Sequence, residues 1–114
     1  MTLENKELLL KDLSARLPYH PIVHIHDIDV IDYDNYLYPD YLEKMMSDSI
    51  TLKPYLFPLS SMSKEQEQEE YEICKYYIPG YESNLIDFYN KNHFDYRGLI
   101  EKGLAIDATN LNIY

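Results

Sequence analysis

Two histidines one residue apart, His24 and His26, preceded by His20 and followed by Asp27 and Asp29, form the densest set of potential ligands in the chain. On an extended strand, residues i and i+2 share a face, so the two imidazoles project side by side, a spacing that suits zinc or another borderline divalent metal. The flanking residues do not complete a hydrolytic pattern. H-x-H-x-D-H needs Asp and His where Ile28 and Asp29 stand. A barrel hydrolase that opens on H-x-H needs a scaffold of about 250 residues, and a cupin needs a further Glu and His that are not suitably placed. The plainer reading of the alternation is that His24 and His26 line the solvated face of a half-buried strand, with no cofactor. The alternative is a divalent metal held by His24 and His26, with His93 completing the site from the C-terminal segment.

Thirteen tyrosines are the most unusual feature of the composition, clustered at Tyr33, Tyr36, Tyr38 and Tyr41 and again at Tyr71, Tyr76, Tyr77 and Tyr81. Tyrosine supplies a large contact area with a polar tip at low entropic cost, so an exposed cluster is suited to recognition. The competing use is as core filler in place of leucine, and in a domain this small several tyrosines must serve that way. Glu65 and Glu67, within EQEQEEYE, offer either an acidic docking face or simply carboxylates that complement the positive end of a helix dipole. Cys74 falls on the apolar side of that helix and reads as packing rather than nucleophile, because no neighbouring motif supplies a base. Arg97 reads as the partner of one of the many acids. Only three glycines are present and no phosphate-cradling or nucleophile-elbow motif occurs.

The elements that must position these groups follow from periodicity. Leu9, Leu10, Leu13 and Leu17 recur at helical spacing from Leu3 onward, with Thr2 as cap and Pro18 as stop. PIVHIHDIDVID alternates as a strand, but its phase reverses after His26, which calls for a bulge or tight turn near Asp27. Turn formers fill the stretch after residue 32, and DYLEKMM makes a short helix begun by Pro39 or capped by Asp40. ITLKPYLF resumes strand character and pairs with the first strand, with Pro54 at an edge, a bulge or a strand end. Ser63 and Gln66 have the spacing of a capping box at the head of a helix ended by Pro79 and Gly80. That helix packs through Tyr71, Cys74, Tyr77 and Ile78. A further helix buries Leu85, Ile86 and Tyr89, and a short last one runs from Asp95 as N-cap to Gly103 beyond its end. The expected fold is therefore α+β: an N-terminal helix, a small antiparallel sheet from residues 21–32 and 50–57, with an SH3-like barrel as a variant, and two to three C-terminal helices.

At 114 residues with a formal charge of −10, the chain suits one domain that repels a phosphate backbone, which disfavours direct nucleic-acid binding and favours proteins with a basic face. A single cysteine precludes an intramolecular disulfide and fits a reducing, cytoplasmic compartment. No stretch approaches the roughly 18 apolar residues of a membrane span, so no membrane role is expected.

Three segments, ARLPY (residues 15–19), KPYLFPLSSMS (53–63) and FYNKNHFDYRGLIEKGLAIDA (88–108), together resemble a family of small uncharacterised proteins from phages and prophages of anaerobic gut bacteria. The resemblance implies an N-terminal helix, a variable β-rich middle, then the KPYL and helical segments, and it carries no activity or functional residue. The chain departs most from it over residues 21–49, which hold the histidine strand and the tyrosine insert. The resulting expectation is a non-enzymatic accessory protein, in the cytoplasm of a bacterial host, that binds a host or phage protein through Tyr33, Tyr36, Tyr38, Tyr41, Glu65 and Glu67. A structural component of the phage particle is the other reading in that setting.

Overall fold

The N-terminal leucines form the helix that their spacing requires. In the computed structural model, which describes residues 1–27, 29, 31–75 and 80–114, helix α1 spans Leu3–Arg16, and the Thr2 hydroxyl accepts the Asn5 N–H at 3.1 Å. Pro18 ends it inside a 3₁₀ turn, Leu17–Tyr19, where a missing donor is tolerated. The buried face carries Leu9 and Leu13, as expected, but also Asp12 and Arg16, one helical turn apart and fully excluded from water. Arg16 Nε donates to Asp12 Oδ2 at 2.8 Å, its Nη2 donates to the Phe94 carbonyl at 2.7 Å, and Arg97 Nε reaches Asp12 Oδ1 at 3.1 Å. The Tyr96 ring lies against both guanidiniums, and its hydroxyl accepts from Arg97 and donates to Asn90. One carboxylate thus ties α1 to the C-terminal segment.

The sheet has the order β2-β1-β3-β4, with β5 also on β3. Strands β1 (Ile22–Asp27), β2 (Tyr33–Tyr36) and β3 (Ile50–Pro58) are antiparallel, while β4 (Phe94–Asp95) and β5 (Ile106–Asp107) run parallel to β3. The expected all-antiparallel sheet is therefore mixed, and because β2 and β4 end its path it does not close into an SH3-like barrel. The turn after β1 is present: the Asp27 carboxylate accepts the Asp29 N–H. Ile28 and Val30, on which the phase argument rested, lie outside the described residues. Pro54 occupies the middle of the central strand, where its lack of an N–H ends one ladder. Pairing with β1 stops at Val23↔Pro54, and pairing with β5 begins at Tyr55.

Around this sheet, Val23 and Ile25 of β1 and Leu52 and Leu56 of β3 meet Leu9 and Leu13 in the core. Helix α2 (Pro39–Met46) starts on Pro39 and buries Tyr41 and Met45. Helix α3 (Lys64–Lys75) has the reciprocal capping box, with Ser63 N–H to Gln66 Oε1 at 2.9 Å and Gln66 N–H to Ser63 Oγ at 3.1 Å. Its packing face differs from expectation. Tyr71 and Cys74 are exposed, Tyr77 and Ile78 lie outside the described residues, and the half-buried positions are Gln66, Glu70 and Ile73. Glu70 accepts the Tyr89 hydroxyl of α4 (Tyr81–Lys91) at 2.7 Å. Phe88 is the buried apolar side chain of α4; Leu85 and Tyr89 are half-buried and Ile86 is exposed. The last expected helix does not form, because Gly98 adopts φ +73° in mid-segment and an α-helix cannot accommodate that angle. Asp95 still caps: its carboxylate accepts the Leu99 and Ile100 N–H groups at 2.9 Å each, now closing a turn that Gly103 ends.

Two measurements check this architecture. Leu13→Ala is expected to cost about 2–5 kcal/mol, and Asp12→Ala about 3–5 kcal/mol because it strands Arg16 in the core, whereas the exposed Glu67→Ala should change the urea midpoint little. The second concerns His93, whose ring stacks on Tyr114 with centroids 3.8 Å apart. Among the described residues, His93 Nδ1 and Arg16 Nη1 are buried without a hydrogen-bond partner. Burial, and then the Arg16 charge, lower the His93 pKa from 6.5 to about 4. The unfolded chain therefore binds a proton that the folded chain refuses. This contribution to stability is complete above about pH 6.5 and is lost as pH falls toward about 4. Unfolding midpoints across that window should show the decline, and His93→Gln should reduce its slope.

Candidate functional site: the outer face of the β1–β2 hairpin

Alternation along β1 buries Val23 and Ile25 and turns Ile22, His24 and His26 outward. The antiparallel register sets His24 opposite Asp34 and Ile22 opposite Tyr36 on β2, and sets His24 opposite Lys53 and His26 opposite Thr51 on β3. The histidines therefore lie on the solvated face, as the plainer reading expected, and they face carboxylates.

His24 Nδ1 and Asp34 Oδ1 are 2.8 Å apart, and the same oxygen accepts the Tyr55 hydroxyl at 2.8 Å. Asp32 bonds to His26 Nδ1 and, at 3.4 Å, to His24 Nε2. The Asp34 hydrogen bond raises the pKa of His24 against the opposing effect of its partial burial. The hydrogen bond from His26 lowers that of Asp32. Burial, and then the bond to Asp34, push Tyr55 up to about 12. Beyond Pro54, where the ladder stops, the Tyr114 hydroxyl accepts the Ile22 N–H and donates to the Tyr55 carbonyl, both at 2.9 Å. A side chain from the C-terminal segment thereby completes the seam between β1 and β3.

The four tyrosines of the insert have different places. Tyr36 and Tyr38 are about half exposed (52% and 48%) and Tyr33 somewhat less. Tyr41, expected on the surface, is buried on α2, where its hydroxyl accepts Asn35 Nδ2 at 3.0 Å and its ring packs edge-on against Tyr38. Two shallow cavities meet at Tyr36. One of about 280 Å³ is lined by Ile22, Asp34, Asn35, Tyr36 and Ile113, and one of about 390 Å³ by His20, Tyr36 and Tyr38. A third, of about 330 Å³, is lined by His24, His26, Asp32, Thr51, Lys53 and Ile106.

No family model, curated protein or solved structure matches this chain.

His93, the expected third ligand, packs on Tyr114 and does not line the histidine cavity. Among the described residues no group of three or more His, Cys, Asp or Glu side chains is arranged to hold a metal ion. Glu65 and Glu67 are exposed on the first turn of α3, outside all three of these cavities. The sequence reading missed Asp32, Asp34 and Tyr55. For the two aspartates a signal was present: Asp32-x-Asp34 has the same period of two as His24-x-His26, and two such runs read together describe a hairpin with complementary outer faces; Tyr55 carries no such signal.

If Asp34 joins the three strands, Asp34→Ala should lower stability by about 1–3 kcal/mol. Amide exchange should then rise more at Asn35 and Leu37, the β2 side, than at Leu52 in the centre of the sheet. Equal acceleration at all three would show that Asp34 supports the whole domain and not this edge.

Proposed function

We propose that the protein is a non-enzymatic interaction module that docks an extended, basic and partly apolar segment of another protein along β2. The observation that carries this reading is that a sheet edge bearing exposed tyrosines lies inside the most one-signed stretch of the hairpin. Residues 27–40 include Asp27, Asp29, Asp32, Asp34 and Asp40 and no Lys or Arg, and β2 ends the strand order. The Leu37 N–H donates to the Pro21 carbonyl. By alternation, the backbone groups of Asp34 and the Tyr36 carbonyl point away from β1, in the direction from which another strand would pair, while the Tyr36 N–H is already taken by Asn35 Oδ1. A short edge carrying aspartates resists indiscriminate pairing and discriminates in favour of a strand that brings positive charge.

The resemblance of the three segments supports a phage or prophage setting, with a host or phage protein as the partner. No helix among the described residues is long and apolar enough to cross a membrane, which fits a partner met in solution. Surface carboxylates outside the contact act over about 8 Å at physiological ionic strength and raise the association rate, while tyrosine anchors govern dissociation.

Affinity purification from infected or lysogenic host cells supplies the partner, and binding of that purified protein tests the reading. Tyr36→Ala is expected to speed dissociation about tenfold or more, and Glu67→Ala to leave it nearly unchanged. Added salt should slow association. A complex whose lifetime ignores both Tyr36→Ala and Tyr38→Ala would move the interface off β2.

A further inference from the structure

We propose that the cavity between Ile22, Asp34, Tyr36 and Ile113 is the seat of one arginine side chain of the partner, an inference that rests on β2 being the docking edge. The cavity, about 280 Å³, is smaller than the usual pocket for a drug-sized ligand and suits a single long side chain. Its lining includes two half-buried isoleucines and the exposed Tyr36, with Asp34 as its one charged residue. An apolar lining with one charged residue matches a side chain that buries an aliphatic stem and presents a cationic head.

The state of Asp34 directs the head group. Oδ1 already accepts from His24 and Tyr55, which fixes the carboxylate in orientation. Among the described residues Oδ2 takes no hydrogen bond, so one acceptor is held ready and needs no reorganisation to bind. Asn35 contributes little polarity of its own, because its Oδ1 accepts the Tyr36 N–H and its Nδ2 donates to Tyr41. The Tyr36 ring beside a carboxylate favours a planar guanidinium over an ammonium, since the former stacks on the ring while donating in its own plane. The His24 imidazole is engaged on Oδ1. Lys53 lines the separate histidine cavity.

The test uses N-acetyl-arginine amide as probe and its citrulline counterpart as neutral isostere, with amide shifts of the whole protein recorded during titration. The expected result is saturable shifts confined to Ile22, Asp34, Asn35, Tyr36 and Ile113, with the citrulline probe at least about tenfold weaker. Ile113→Lys, which places an ammonium of the chain itself in the seat and leaves the Asp34 bonds intact, should abolish the effect. Tyr36→Ala should weaken it without altering His24 or Tyr55. Shifts spread evenly over surface carboxylates, or equal shifts from both probes, would overturn the seat. Because strand addition along β2 is judged separately by the Tyr36 and Tyr38 dissociation rates, the seat can fail while the docking edge stands. Failure of both would remove β2 from the functional account.

Discussion

The Asp34 carboxylate holds a four-residue edge strand to the sheet from two directions. It accepts from an imidazole on β1 and from a largely buried phenol on β3, so three strands share one acceptor. A strand as short as β2 has few ladder bonds of its own, and isolated hairpins are marginal in water. The cross-strand contact therefore decides whether the edge is ordered and where its tyrosines stand. The same bonds orient the carboxylate of a residue that lines the Tyr36 cavity. Stability of the edge and chemistry of the surface thus depend on one group.

A second polar device joins α1 to the C-terminal segment. Asp12, Arg16 and Arg97 form a buried charge network between α1 and the C-terminal segment, and Arg16 also takes the Phe94 carbonyl at the start of β4. Buried ion pairs of this kind add little net stability over an apolar replacement, but breaking one is costly. Here the network returns the chain after α4 to β3, from which the tail reaches the β1–β3 seam. The left-handed His93 at the end of α4, stacked on Tyr114, lies on the same route. The proline that interrupts the central ladder and the tyrosine hydroxyl that closes the gap are two halves of one solution.

Much of this was legible in the sequence because it is local. The Thr2 cap, the leucine face of α1, the Ser63–Gln66 capping box, Pro39 as the first residue of α2 and the strand character of the two long strands follow from spacings within a few residues. The misses share a cause. β2 reads as turn because Asp, Asn and Tyr dominate it, and only its register with β1 makes it a strand. The two-residue parallel strands have no periodicity to detect. Gly98 broke an otherwise plausible helix through a backbone angle that composition alone does not specify. At the site, the outward histidines were legible from alternation. Their partners were legible only as the matching period of Asp32-x-Asp34; that Asp34 and Tyr55 both meet His24's row is decided only when three strands assemble. Tyr41 shows the limit of composition: identical neighbours in one insert divide between core and surface according to the element each falls on, Tyr33 and Tyr36 on β2, Tyr38 at the cap and Tyr41 on the buried side of α2.

The acidic hairpin carries exposed tyrosines on a strand at the end of the sheet order, while the acidic first turn of α3 suits the helix dipole beside its capping box. The most direct test is site-specific photo-crosslinking in cells that produce the protein, with the crosslinking residue placed at Tyr36 and, in parallel, at Glu67. The account predicts crosslinks from position 36 to a segment of positive net charge, lost when Asp34 is replaced by Asn. Crosslinks arising from position 67 alone, or from position 36 to acidic segments, would contradict it.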